Sequence, residues 1–290
     1  MSHDFARQHG SSGAMHQAGM ATRRSLLQRR VLVVGAAGAF GSGIAQALRE
    51  RGARVMGIDR VSRPDIVVAD ITDDEAVRSA VQQVLAQIGG LDVLINTAGV
   101  GPLQDAGAPP GESVMQALSV NLLGPWRVAS YALPALIESR GRIINVAFGL
   151  TFANVPFASP YTASKRALTA WSEVLRLEYG SHVGVTTIYP GYIKTPIHAQ
   201  AEAEGVSLSG LVREEPLSAM IKTVVRACTG KPRRDLATTR LGNIEIGLAR
   251  HFPAFADRVI LQRMQQLARQ KRYANAPLTF GMLKRMGFKN

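Results

Sequence analysis

From Val31 onward, short apolar runs alternate with longer segments of helical periodicity. VLVV at 31–34 predicts a buried strand and 41–51 a helix. ARVMGI (53–58) and IVV (66–68) predict a second and a third strand. Between 73 and 88, Ala76, Val77, Ala80, Val81, Val84, Leu85 and Ile88 recur at helical spacing. LDVLI (91–95) predicts a fourth strand, and a long helix follows over 113–138, interrupted near Gly124-Pro125. RIINV (142–146), a helix at 160–179 and VGVTTIY (183–189) continue the alternation. The segment 217–228 reads as a helix and DLATT (235–239) as a last edge strand. Near-continuous apolar strands separated by helices imply a parallel sheet covered on both faces, a three-layer α/β/α domain. Ligands of such sheets bind beyond the carboxyl ends of the strands. The chemically interesting residues fall there.

VLVVGAAGAFGSG runs from strand into helix, with Gly35, Gly38 and Gly41 at intervals of three. Glycines allow a tight turn and close approach to a pyrophosphate, which the helix N-terminus attracts. The expected fold is therefore a single, Rossmann-like doubly wound domain. Asp59 ends the second strand, where a carboxylate can accept hydrogen bonds from adenosine ribose hydroxyls and repel a 2′-phosphate. That favours NAD over NADP. The adjacent Arg60 argues the other way, and a strand-end turn residue is the less favoured alternative for Asp59. Asp70 ends the third strand and could bond the adenine amino group. Its plainer reading is a helix cap, a role open equally to Thr72 or Asp73.

Tyr161 and Lys165 lie four apart in SPYTASKRAL, on one helix face. A phenol is a poor base near neutrality, and a fixed ammonium beside it stabilises the phenolate. Alone, such a pair is usually a solvated helix face.

In order, these motifs resemble the short-chain dehydrogenase/reductase family, classical type, over about residues 30–240. They are the glycine turn, Asp70, Asn96-Thr97-Ala98-Gly99, Asn121, Tyr161 with Lys165, and Pro190-Gly191 leading to Thr195. The resemblance implies an NAD(P)-dependent oxidoreductase interconverting a secondary alcohol and its ketone by hydride transfer. Tyr161 would be the general acid/base. Lys165 would hold the nicotinamide ribose and lower the tyrosine pKa. Asn121 would distort its helix and hold a water. Phe40, Ile71, Asn96, Ala98, Gly99, Pro190, Gly191 and Ile193 would line the cofactor, and Thr195 would touch its carboxamide. Tyr192 would face substrate.

Two departures stand out. Ala39 occupies a position that is glycine in the classical pattern, and alanine fits there only if the backbone is not left-handed. Phe148 stands thirteen residues before Tyr161, where the family carries its catalytic serine. Losing such a donor typically costs about 10²–10³ in rate. Thr151 and Ser159 are candidate substitute hydroxyls, though both read more simply as loop polar residues. Phe148 also opens an alternative: a non-catalytic NAD-binding protein with a structural or regulatory role.

Leu150, Phe152, Val155, Pro156 and Phe157 can wall a pocket beside Tyr161 or belong to the core. A hydrophobic alcohol or ketone is the expected substrate. The segment 196–212 is the variable substrate lid. Homodimers or homotetramers through 113–138 and 160–179 are expected by resemblance.

Charge refines the organisation. The formal charge of +13 sits at the ends. Residues 1–30 hold five basic residues and one acidic, 31–230 hold 16 and 17, and 231–290 hold 13 and 3. Residues 1–27 are expected to be a disordered or non-native extension, 28–240 the domain, and 241–290 a basic amphipathic extension. In 252–272, Phe255, Val259, Ile260, Met264 and Leu267 form a stripe with arginines opposite. Packing against the body is the plainer reading, and contact with an anionic membrane surface the alternative. Specific nucleic-acid binding is not expected, because no binding module accompanies the charge. The single cysteine, Cys228, suits a reducing compartment, so a cytoplasmic protein, peripherally membrane-associated at most, is expected. Six scattered histidines suggest no metal site.

Overall fold

Each predicted apolar run forms a strand. In a computed structural model, residues 26–288 are described except 153, 207 and 208, with the backbone alone at 150 and 200. The strands are β1 (Arg30–Val34), β2 (Arg54–Asp59), β3 (Ile66–Val68), β4 (Val93–Asn96), β5 (Arg142–Val146), β6 (Gly184–Tyr189) and β7 (Asp235–Ala237). All pair in parallel, in the order β3-β2-β1-β4-β5-β6-β7. Successive side chains point to opposite faces, which explains why the runs are apolar throughout. Leu32 and Val34 enter one core cluster, while Val31 and Val33 enter the other.

The first core is closed by α2 (Asp74–Ile88), α4 (Gly124–Glu138) and α5 (Ser159–Tyr179), through Val77, Val84, Val128, Leu136 and Leu168. The second is closed by α1 (Ala39–Arg49) and α7 (Leu217–Thr229), through Ile44, Leu48, Met220 and Val224. Asp73 caps α2 by accepting from Ala76 N–H at 3.0 Å, and Gly89 ends it in a left-handed conformation. The order turns at β1 and β4, so the carboxyl ends of these strands splay apart and leave a crevice.

The long helix is interrupted next to Gly124-Pro125, as expected, while two other expectations change. Here α3 (Glu112–Leu118) passes through a π-helical turn at Ser119–Leu123 into α4, with Gly124 N–H bonding the Ser119 carbonyl. Pro125 has no N–H to give the Asn121 carbonyl, so an α-helical bond cannot form there. Residues 1–25 lie outside the described residues, but Leu26 of the expected extension is buried in the second core.

The tail does not stand apart either. After β7 come α8 (Arg240–His251), α9 (Pro253–Arg269) and α10 (Pro277–Arg285), preceded by the short α6 (Ala199–Ala203) in the lid. Met264, Tyr273, Ala276 and Leu283 form a third core with Val155, Phe157, Val206 and Leu211. The Ile260 and Met264 part of the predicted stripe therefore faces inward, while Phe255 remains exposed. Among the described residues, α6, α8 and α10 went unpredicted. In α8 only Gly242 and Ala249 are buried, too few to mark a core-facing stripe.

A Cβ on Gly41 would overlap the Gly35 carbonyl oxygen and lie 2.8 Å from Ala36 Cα. Gly41→Ala should lower stability by about 1–3 kcal/mol, read from the urea midpoint. An unchanged midpoint would show that the turn yields.

Candidate active site

The crevice is a cavity of about 430 Å³ at the carboxyl ends of β1, β2, β4 and β5. Its floor is the β1–α1 turn. Gly35 has φ of +79°, and a Cβ there would sit 2.7 Å from Ala98 N. Only glycine meets both demands. Gly38 precedes the first turn of α1, which has no side-chain cap and no acidic residue, so its N–H groups favour an anion. Ala39 is already helical, which is why alanine is tolerated. Phe40 and Ile71 wall the cavity.

At one end stand Asp59, Arg60 and Asp70. Asp59 accepts from Ala37 N–H at 2.9 Å and Val61 N–H at 3.1 Å, which fixes its carboxylate. The exposed Arg60 lies 3.9 Å from Asp70. The Thr72 backbone N–H and hydroxyl, each at 2.8 Å, hold the Asp70 carboxyl below its usual range, with help from Arg60. The cap is thus Asp73, leaving Asp70 at the cavity.

At the other end stand Ala98, Gly99, Tyr161, Lys165 and Thr195. Lys165 is 4% exposed and donates to the Val146 carbonyl at 3.0 Å. Burial pushes its pKa down to about 8, and burial pushes the Tyr161 phenol up. The lysine nitrogen lies 5.9 Å from the tyrosine ring centroid. The expected lowering of the phenol by the ammonium is therefore not the state of the protein alone, because desolvation dominates both groups. Asn121, fully buried on the π-turn, accepts from Val100 N–H at 2.8 Å. It donates to the Val100 carbonyl and the Ser164 hydroxyl, each at 2.9 Å. A Cβ on Gly99 would come 3.2 Å from Asn121 Oδ1 and 3.5 Å from Lys165 Nζ.

Several expected residues lie off the cavity. Asn96 is buried and donates to Asn145 Oδ1 at 2.8 Å, one layer below. Gly41 packs under Gly35. The Pro190 carbonyl accepts from Gly149 N–H, Gly191 N–H donates to Glu215, and Ile193 is in the second core. These residues shape the turn that leads to Thr195 and do not line the cavity.

Phe148 meets Tyr161 edge to face, with ring centroids 5.3 Å apart. Beside them is a void of only about 30 Å³, walled by Leu103, Val155, Pro156, Ile197, His198 and Val206. Neither substitute hydroxyl is there. Thr151 is buried and donates to the Phe148 carbonyl at 2.6 Å. Ser159 donates to the Gln104 carbonyl at 3.3 Å and opens on an outer groove. Tyr192 donates to Glu202 at 3.2 Å and lines a separate groove beneath α8 and α9. Phe152 meets Tyr189 at a tilt and Phe157 enters the third core, so neither walls the void. The Leu150 side chain lies outside the described atoms.

Sequence reasoning missed His198, tilted against Tyr192 with ring centroids 4.9 Å apart and its pKa lowered by burial. It also missed the Val146 carbonyl and Ser164. A backbone acceptor leaves no mark in the sequence, and His198 sits in a segment without periodicity. The glycine cradle, the helix N-terminus and the fixed carboxylate of Asp59 fit a dinucleotide. The tyrosine can exchange a proton where the cavity meets the void. Among the described residues, no cluster of three His, Cys, Asp or Glu could hold a metal ion.

A family model described as short chain dehydrogenase matches residues 29–205. The chain is 33% identical over 207 residues to L-fucose dehydrogenase of Bos taurus, covering 65% of this chain and 74% of that protein. It is 33% identical over 172 residues to 3-ketodihydrosphingosine reductase of Bacteroides thetaiotaomicron, covering 57% and 64%. The crystal structure of a short chain dehydrogenase from Burkholderia cenocepacia J2315 in complex with NADP superimposes with a TM-score of 0.68 and 28% identity. The match covers 81% of this chain and 98% of that one.

The buried Lys165 generates a prediction for the protein without ligand. Its pKa falls from 10.5 to about 8 on folding. Between those values the unfolded chain binds more protons, so this group destabilises at low pH and the penalty fades as pH rises. Lys165→Met should be more stable than the parent at pH 7, with an advantage that shrinks as pH rises from about 8 to 10.5. Paired denaturation curves at several pH values check it. A gap that does not change with pH would show that the lysine carries no such penalty.

Proposed function

The chain belongs to the short chain dehydrogenase family, and on that premise we propose that it interconverts a hydrophobic secondary alcohol and its ketone, with Tyr161 as the acid–base group. As a family member it is a nicotinamide-dependent oxidoreductase acting on CH–OH groups. The observation that carries the finer reading is the juxtaposition of Tyr161 and Lys165 where the cradle cavity meets an apolar void.

When bound, the nicotinamide supplies or accepts the hydride. The protein's own work is positioning and the proton. In reduction Tyr161 Oη gives its proton to the substrate oxygen, and in oxidation it takes one. Lys165 needs acceptors besides the Val146 carbonyl, and ribose hydroxyls would serve. Once paired there it keeps its charge, and that charge draws down the phenol pKa. Gly35, Gly38 and the α1 N-terminus take the pyrophosphate, and Thr195 the carboxamide end. Asp59 favours NAD, because its carboxylate is fixed by two N–H donors and meets a 2′-phosphate with like charge.

The apolar wall of the void supports a hydrophobic substrate. By their names, one relative acts on a keto-lipid and another on a sugar. The apolar lining supports the former. A void of about 30 Å³ holds one water's share of space. On the side of the void, room for a substrate beside Tyr161 would come from Phe148 turning aside. That observation favours a second reading, a cofactor-binding protein with little turnover. A homodimer or homotetramer is part of the proposal, supported by Trp126, Val174 and Leu177 standing exposed on α4 and α5.

The test pairs the parent with Phe148→Ser and Tyr161→Phe on a panel of hydrophobic secondary alcohols and ketones. Phe148→Ser should raise kcat/KM by about 10²-fold at unchanged NADH affinity, and Tyr161→Phe should bind NADH without turnover. Turnover by Tyr161→Phe at the parent's rate would overturn the assignment. NADH binding without turnover by either the parent or Phe148→Ser would put the second reading first. Asp59→Asn should shift the NAD:NADP ratio of kcat/KM about tenfold toward NADP.

A further inference from the structure

The described tail carries an apolar row that the fold leaves uncovered. Leu241, Ile244 and Leu248 recur at helical spacing along α8, and Phe252 and Phe255 carry the row into α9. All five are 44–61% exposed, although each is a residue type that usually packs inside. The opposite side of α8 is pinned to the body. Ala249 and Gly242 are buried, and Arg250 pairs with Glu173 and Asp235. The exposed row is thus held outward by a fixed helix.

The tail that carries the row is cationic, although Arg250 is ion-paired and Arg263 donates to the Leu211 carbonyl. Residues 240–285 hold nine basic residues against Glu245 and Asp257 alone. Arg240, Arg258, Arg263, Arg269, Lys271 and Arg272 are all exposed. A second copy of this chain would set like charges against each other. An anionic lipid bilayer meets both features: headgroups pair with the arginines while the row enters the headgroup–acyl boundary. Among the described residues no helix is long and apolar enough to cross a membrane, so contact through this face would be interfacial.

We infer that the chain docks on an anionic bilayer through the outer face of α8 and the start of α9. The face adjoins the substrate side. Arg250, at the end of α8, lies 5.1 Å from the ring centroid of Phe152, in the loop that continues to Val155 and Pro156 of the void. A hydrophobic substrate dissolved in the bilayer would then be presented next to the loop it must pass. The docking face holds no catalytic group, so binding and turnover are read separately.

The experiment sediments the full chain with phosphatidylcholine vesicles, with and without phosphatidylserine. Partitioning should be about tenfold stronger with phosphatidylserine and should weaken with salt. The double variant Ile244→Glu, Phe252→Glu should lose at least about tenfold of that partitioning, with thermal midpoint and NADH affinity unchanged. Phe252→Trp should retain it. No binding to phosphatidylserine vesicles at low salt would overturn the inference. So would binding indifferent to the double variant, which would mean charge alone. A lipid-free dimer that the double variant splits would assign the face to a second copy instead. Duplex DNA capture abolished by the same pair would assign it to nucleic acid.

Discussion

An ammonium group buried with one carbonyl partner is the constraint around which the site is arranged. Lowering a lysine pKa from 10.5 to about 8 marks an ammonium destabilised by on the order of 3 kcal/mol. One charge-assisted hydrogen bond offsets about 1.5–3 kcal/mol of desolvation at best, and the net shift shows that desolvation wins. The described residues near Lys165 make room for this group without adding a counter-charge. The last carbonyl of β5 accepts from it, Gly99 lacks the side chain that would crowd it, and Asn121 is held away by Val100 and Ser164. A site so built is unfinished until a ligand brings further acceptors. That is a physical reason for cofactor and proton chemistry to share one lysine.

The sheet that supplies this position was legible because its signal is redundant. Each strand is apolar on both faces, and a parallel sheet clad by helices is the arrangement that buries both. β3 and β5 have the bounds read from the sequence, and the other strand ends shift by at most two residues. The chemistry was legible for a related reason. A parallel sheet sends all carboxyl ends to one edge, so residues just after strands were bound to meet there. Gly35, Asp59, Asp70 and Ala98–Gly99 follow or end strands and line the cavity.

What stayed hidden depended on where backbone groups and exposed faces point. Thr151 looked able to replace the missing serine, but the carbonyl of Phe148 claims its hydroxyl within the turn. Asn96 has the motif position but donates sideways to Asn145. The Val146 carbonyl is as important to Lys165 as any side chain and has no sequence signature. The α8 helix escaped notice for the opposite reason: its apolar spacing is helical, but the row points outward and two glycines weaken its propensity.

Phe157 connects these hidden parts. It is a bulky residue with φ of +68°, a conformation that costs about 1–2 kcal/mol outside glycine. Its side chain is buried with Val155, Val206, Met264, Tyr273 and Leu283, while its carbonyl accepts from Gln104 N–H at 2.8 Å. Burying one phenyl ring contributes about 1.5–3 kcal/mol, enough to hold the strained turn only while the tail helices complete the pocket around it. The loop that walls the void beside Tyr161 therefore takes its shape from residues more than a hundred positions downstream. For that reason the motifs between residues 30 and 240 describe the cofactor end of this site far better than its substrate end. The narrowness of the void follows from the same packing, with Phe148 pressed against Tyr161 on one side and Val155, fixed by the tail, on the other.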